Sequence, residues 1–278
     1  MIEIKNVNFR YQGNTNTILD NITVDIQKGE FIGIIGPTGS GKSTFCYLLN
    51  GLIPHSIHGQ FSGSVKVNDL DTRNNKVDEL STIVGYMLQE PSFQIATPFV
   101  ESEIAFGMEN FGFESIEMEI RINEVLRILG IENLRKRATS DLSEGEKQRV
   151  ILASILAIKP EILVLDECTS MLDASSKKEL ATTLKSIHLE QGKTIIMIEH
   201  DLDYLLELVD RIILINNGKI IADGLTTEVL TDSNLLLENN LQPPNLIKLF
   251  TDLQKQGLNL EELPTSYQQA SKILGEFL

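Results

Sequence analysis

The chain has 278 residues, of which 42% are hydrophobic, enough to bury a proper core as one large α/β domain with an appendage or as two small domains. No stretch approaches the ~20 uninterrupted apolar residues needed to cross a bilayer, and no basic run followed by an apolar one opens the chain, so it is expected in the cytosol and outside the lipid. The formal net charge of −15 argues against broad contact with nucleic acid, whose affinity comes largely from Lys and Arg on phosphates, and leaves room for a cationic protein partner.

In chain order, apolar and polar residues alternate from Ile2 to Phe9 and from Ile22 to Ile26, which predicts two half-buried strands. Lys28-Gly29 turns the chain into a fully apolar strand, Phe31 to Ile35. Gly36-Pro37-Thr38-Gly39-Ser40-Gly41-Lys42-Ser43 follows and leads into a helix-like run from Thr44 to Leu52. Glycine at this density lets successive backbone N–H groups converge on one anion, and the helix adds unpaired N–H groups and the positive end of its dipole. Lys42 reaches the β- and γ-phosphates of a nucleoside triphosphate as a point charge, and the Ser43 hydroxyl is the expected ligand for Mg²⁺. Cys46 and Cys168 make no disulfide framework and read as buried packing residues.

Short strands are expected at Ser64 to Val67 and Ile83 to Leu88. A helix is expected from Glu114 to Leu129, with Ile116, Ile120, Val125 and Leu129 at helical spacing and Gly130 as its stop. Gly145 to Ile158 reads as another helix, ended by Pro160. Ser143 as N-cap and Glu146 three residues later form a capping box at its start, where a hydroxyl and free N–H groups are also offered to an anion from another molecule. Ile162 to Leu165 is a fully buried strand that ends on Asp166 and Glu167. Placed beside the strand that feeds the phosphate loop, Asp166 suits Mg²⁺, and Glu167, pointing elsewhere, suits the water that attacks the γ-phosphate.

The later half repeats the alternation, with helices over Glu179 to Leu189 and Leu202 to Leu208 and a strand over Thr194 to Ile198. Arg211 to Ile215 and Lys219 to Ala222 form a hairpin joined by Asn216-Asn217-Gly218. Helices alternating with buried strands imply a mostly parallel core sheet, and the N-terminal strands imply an antiparallel flank. Residues 1–232 read as one nucleotide-binding domain with an inserted helical subdomain at about 90–158. The breaker cluster Asn239 to Pro244 lies in a C-terminal helical extension, residues 233–278.

Together and in this order, the motifs resemble the ATP-binding subunit of an ABC transporter, over about Ile2 to Leu230. The resemblance implies a P-loop NTPase fold that binds ATP and Mg²⁺ and hydrolyses the nucleotide, with Gly36 through Thr44 around the phosphates. Asp166 and Glu167 are similar to the family's Mg²⁺ ligand and catalytic glutamate, and Leu142 to Glu146 to its signature motif, so that Ser143 and Gly145 face a nucleotide held by another subunit. Gln89 stands at the glutamine that senses Mg²⁺ and the membrane subunit. Ser170-Met171-Leu172-Asp173 resembles the D-loop, His200 the switch histidine, and Tyr11 the ring that stacks on adenine. In this family two ATPase units, as a homo- or heterodimer, close head to tail on ATP and reopen after hydrolysis. Glu144 departs from the family's Gly and Glu146 from its Gln. A carboxylate beside the γ-phosphate repels it unless the side chain turns away, so this signature face is expected to form the weaker site of a heterodimer.

Val84 to Gln94, Val100 to Gly107 and Asn50 to His55 resemble the energy-coupling factor group, which imports vitamins and transition metal ions. There, two ATPases at the cytoplasmic face of the cell membrane bind a transmembrane coupling subunit that works with a substrate-binding membrane protein. Glu90, Glu101 and Glu103 are candidates to receive basic side chains of the coupling subunit, and the tail after Pro243 resembles the extension by which such ATPases pair. The alternative is a soluble ABC-type ATPase acting on ribosomes or nucleic acid, which the acidic charge and the segment after Gln89 disfavour.

Overall fold

A computed structural model describes residues 1–257, 260 and 262–277; residues 258, 259, 261 and 278 of the anticipated extension lie outside the described residues. The alternating opening strands form β1 (Ile2–Tyr11) and β2 (Leu19–Ile26), which pair antiparallel. β4 (Gly59–Val67) pairs antiparallel with the other edge of β1, and the short β5 (Leu70–Asp71) extends β4. The strand expected at Ser64 to Val67 is thus longer toward its N-terminus, where its side chains are largely exposed and give no apolar signal.

The second sheet is built on β3 (Phe31–Ile35), β6 (Val84–Met87), β7 (Ile162–Asp166), β8 (Thr194–Ile198), β9 (Arg211–Asn216) and β10 (Lys219–Leu225). Its order is β10-β9-β3-β8-β7-β6, parallel throughout except for the β9–β10 hairpin at one edge. β3, β7 and β8 are buried at every residue. Successive side chains go to opposite faces: Ile32, Ile34, Ile162, Val164, Ile196 and Ile198 join a core with the N-terminal sheet and the helix α1 (Lys42–Leu49), while Phe31, Ile35, Leu163, Leu165, Ile195 and Met197 pack against helices on the far side.

The strand order corrects one expectation. β7 is not beside β3, because β8 lies between them and pairs with both, Ile198 facing Ile34 on one side and Asp166 on the other. An all-apolar strand fits any interior place in such a sheet, so its pattern carries no neighbour.

A one-turn α2 (Leu52–His55) and a short α3 (Val77–Ser81) follow α1 in the chain. Then come α4 (Val100–Asn110), α5 (Ser115–Ile128) and α6 (Glu144–Ala157). The buried stripe of α5 is Ile122, Val125 and Leu126, continued by Leu129, whereas Ile116 and Ile120 are 79% and 61% exposed. Both sets obey helical spacing, but only the one facing α6 is covered.

After α7 (Ala174–Gln191) and α8 (Leu202–Leu208), the chain ends in α9 (Thr226–Thr231), α10 (Ser233–Glu238), α11 (Asn245–Lys255) and α12 (Tyr267–Phe277). Leu236, Leu246, Ile247, Phe250 and Ala270 from these last helices share one core with β8, β9 and α8. Among the described residues no helix is long and apolar enough to cross a membrane.

Candidate nucleotide site

The turn from β3 into α1 is shaped by close backbone approach. A Cβ on Gly36 would lie 2.0 Å from the Ile215 carbonyl oxygen, and Gly41 has φ +110°. The Ser40 N–H donates to the Pro37 carbonyl at 3.1 Å and the Gly218 N–H to the Ser40 carbonyl at 3.0 Å, while Thr38 and Gly39 form the exposed tip. No side chain caps α1, so its leading N–H groups are left for an anion. Lys42 is buried and its Nζ donates to the Gly36 and Pro37 carbonyls at 2.9 and 3.0 Å. Burial pulls its pKa down, opposed by the charges of Glu167 and Asp166. The buried Ser40 hydroxyl has no hydrogen-bond partner among the described residues. A half-dry ammonium, open N–H groups and an unsatisfied hydroxyl are the complement of a phosphate chain.

At the end of β7, Asp166 is 2% exposed. The Tyr86 hydroxyl donates to its Oδ2 at 2.8 Å, and the Ser43 hydroxyl also favours the ionised carboxylate. Burial raises the Asp166 pKa, against the pull of those two hydroxyls. Its Oδ1 is buried with no partner among the described residues. That orphaned carboxylate oxygen, with the Ser43 hydroxyl at the start of α1, fits a hard divalent cation. Among the described residues no cluster of three or more His, Cys, Asp or Glu could hold a metal, so phosphate oxygens and water would complete the shell, as suits Mg²⁺.

Glu167 follows with φ +49°, its N–H bonded to the Ile198 carbonyl at 3.0 Å. That left-handed backbone turns its side chain away from Asp166. Gln89 Nε2 donates to Oε2 at 2.6 Å, and His200 Nε2 lies 2.8 Å from Oε1. His200 is in turn placed by the buried Glu199, whose Oε1 accepts the N–H groups of His200 and Asp201 at 2.8 and 3.1 Å and whose Oε2 takes the Thr169 hydroxyl. Three segments far apart in sequence therefore meet on one carboxylate.

Tyr11 sits at the end of β1 with its hydroxyl 2.8 Å from Thr44 Oγ1 and its ring edge-on to Phe9, beside a cavity of about 290 Å³ lined by residues that include Gly13, Asn14 and His58. Ser143, Gly145 and Asp173 stand apart from this group. Among the described residues no hydrogen bond links them to the turn at residues 36–44. The Ser143 hydroxyl accepts the Glu146 N–H at 3.3 Å and Glu146 Oε2 accepts the Ser143 N–H at 2.8 Å, which is the anticipated capping box. Asp173 caps α7 through the Ser176 N–H at 2.7 Å. Ser143 and Asp173 are both exposed.

The sequence profile of the ABC transporter family matches residues 19–170. The chain belongs to the ABC transporter family. It is an ATPase of that family, binding ATP and hydrolysing it. A Pyrococcus horikoshii protein, provisionally named an ABC transporter ATP-binding protein, is 44% identical to this ABC ATPase over 258 residues, 93% of this chain and 91% of that one. The energy-coupling factor transporter ATP-binding protein EcfA1 of Ligilactobacillus salivarius is 38% identical over 267 residues, 96% of this chain and 92% of its own. Among solved structures, cbiO1 of Clostridium perfringens, described as part of the ABC transporter complex cbiONQ, superposes with a TM-score of 0.76 at 28% identity, covering 90% of this chain and 98% of that one.

Two acidic residues expected to receive a partner of the ABC ATPase are used inside it. Glu103 is 3% exposed and accepts the N–H groups of Ala96 and Thr97 at 3.0 and 2.7 Å and the Thr97 hydroxyl at 3.0 Å. Glu101 is paired with Arg135, which also bonds Glu119 and Asn123 and ties α4 to α5. Only Glu90 of the three stays exposed without such a role. Glu144 is held by the Ser92 hydroxyl at 2.6 Å and by Lys147 Nζ at 2.7 Å, and these keep its carboxyl below the usual carboxylate range, Lys147 most of all. Sequence reasoning did not single out Tyr86, Thr169 or Glu199. A polar residue closing the apolar run of β8 was the one signal for Glu199.

Proposed function

We propose that this chain is one of the two ATPases of an energy-coupling-factor-type importer, working at the cytoplasmic face of the cell membrane with a transmembrane coupling subunit and a substrate-binding membrane protein, in the uptake of a vitamin or a transition metal ion. The likeness to EcfA1 and cbiO1 supports the type. The observation that carries the mechanism is the Glu167 carboxylate held between Gln89 and His200. Gln89 lies on the segment leading to α4, so a membrane partner that shifts this segment changes a hydrogen bond on the carboxylate next to the phosphates.

The phosphates of ATP rest on residues 36–44, with adenine at Tyr11. Ser43 and Asp166, with Gln89, would hold Mg²⁺, which when bound would supply positive charge to the phosphate oxygens. Glu167 takes a proton from the attacking water as its oxygen bonds to the γ-phosphorus, and the bond from that phosphorus to the β,γ-bridging oxygen breaks, releasing ADP and phosphate. His200 and Gln89 fix the direction of the carboxylate. Ser143, Gly145 and Asp173 serve the nucleotide of a second ATPase, a reading supported by the exposure of Ser143 and Asp173 and by the lack, among the described residues, of any hydrogen bond from the three to this chain's own loop. Residues 1–232 form the ATP-binding domain, with the helical subdomain at about 90–158, and residues 233–278 form the extension.

Phe93, Phe99 and Phe106 are 80%, 52% and 42% exposed around the start of α4. Phe99 is the extended residue that leads into α4, and Phe106 lies within the helix. They suit the apolar face of a helix from the coupling subunit. The tagged chain, purified from detergent-solubilised membranes of its host, is expected to bring a second ATPase and a membrane-spanning protein. Phe99→Ser with Phe106→Ser should release the membrane protein and leave ATP binding in place. Recovery with ribosomes or nucleic acid, or with no membrane protein, overturns the reading.

A further inference from the structure

Tyr86 has no part in the chemistry described so far, yet it touches the site on three sides. Its strand β6 runs parallel to β7, with Tyr86 opposite Val164, two residues before Asp166. Its ring lies 5.7 Å from that of Tyr47 on α1. Its carbonyl accepts Gln94 Nε2 at 3.0 Å, and Gln94 Oε1 accepts the Leu88 N–H at 2.8 Å, so the backbone is clasped where it leaves the sheet toward Gln89. Fixed in this way, the hydroxyl donates to Asp166 Oδ2 at 2.8 Å, while Oδ1 is left buried and, among the described residues, partnerless. A phenol hydroxyl carries its proton at neutral pH and so serves as the donor in this bond.

A carboxylate at a strand end has a soft terminal torsion, and either oxygen can turn toward a cation. A donor locked onto one oxygen removes that freedom. We propose that Tyr86 is a positioning residue for the divalent cation of the bound nucleotide: its hydroxyl holds Asp166 by Oδ2 so that Oδ1 meets the metal. The inference rests on the nucleotide-site reading above. It does not require Tyr86 to touch ATP, metal or water. Outer partners that orient a ligand in this manner commonly govern metal affinity as strongly as some ligands do.

The test uses the full chain carrying Glu167→Gln, so that ATP stays intact, with Mn²⁺ as the probe and its binding in the presence of ATP followed by electron paramagnetic resonance. Tyr86→Phe keeps the ring and removes only the hydroxyl. It is expected to weaken Mn²⁺ binding about tenfold and to leave the affinity for metal-free ATP unchanged. Asp166→Asn is expected to lose the metal, and adding Tyr86→Phe to it should change nothing further. Unchanged or tighter Mn²⁺ binding in Tyr86→Phe overturns the proposal. So does loss of metal-free ATP binding, because the hydroxyl would then be shaping the whole phosphate turn. If the chain with Tyr86 intact binds neither ATP nor Mn²⁺, the nucleotide-site reading itself falls, which is a different result.

Discussion

Glu103 shows how one buried carboxylate can be mistaken for a surface charge. It lies in the first turn of α4 near Glu101, and such a pair in sequence looks solvated. Instead its Oε2 collects two backbone N–H groups and a hydroxyl from Ala96 and Thr97, at a helix end where the dipole favours negative charge. Glu103→Ala would leave those donors without an acceptor in a buried place. It is expected to lower the stability of the isolated chain by roughly 2 kcal/mol in urea denaturation, with no partner present. An unchanged midpoint would return Glu103 to the surface and to partner docking. The residues that were legible, Lys42, Ser43, Asp166, Glu167 and His200, belong to patterns that bring their own local setting of strand, turn and helix start. Tyr86 and Asp166 are 80 residues apart, and their bond exists only because β6 and β7 pair, which local patterning does not state.

Among the elements, α6 carries the departure with the clearest consequence. Ser143 and Glu146 close its capping box, so Glu in place of Gln at residue 146 preserves the helix start. Glu144 at the first helical position is turned toward Ser92 and Lys147, and Lys147 sits one turn along the same helix. The charge that would oppose an incoming γ-phosphate is therefore largely balanced within the subunit. Because the folded pKa of Glu144 is depressed, this contact contributes above the ordinary carboxylate range and is lost as pH falls through its lowered value, so it is intact at neutral pH. Lys147→Ala would free the charge. In the assembled ATPase pair it should raise the ATP concentration for half-maximal turnover by about fivefold, roughly 1 kcal/mol, and Glu144→Gly added to it should restore the original value. Equal turnover curves for Lys147→Ala and the unaltered pair would show that Glu144 does not set the strength of this face. Helix and strand positions were legible because periods of 3.6 and 2 are written along the chain. Which side of α5 is covered, and which strand lies between β3 and β7, depend on partners elsewhere in the sequence.

For the whole molecule, the C-terminal helices are anchored to the same core as the ATP-binding unit. Asp203 on α8 accepts the N–H groups of Asn245 and Leu246, Glu207 accepts that of Tyr267, and α8 begins just after His200. Leu246, Ile247 and Phe250 then fill the side of that core. Cutting the chain near Leu230 would strip this packing from the catalytic unit, so a truncated protein that fails to pair could simply be unstable. Two point substitutions on α11 separate the effects. Phe250 is fully buried and Leu249 is 50% exposed. Phe250→Ala should cost about 3–5 kcal/mol in thermal or urea unfolding of the single chain. Leu249→Ser should leave that stability within about 0.5 kcal/mol. If the extension joins two ATPases, Leu249→Ser alone should weaken the ATP-free dimer in sedimentation experiments, because an exposed leucine on an otherwise anchored helix is the part left for a partner to cover. A dimer of unchanged strength in Leu249→Ser would confine α11 to bracing the helix that follows His200.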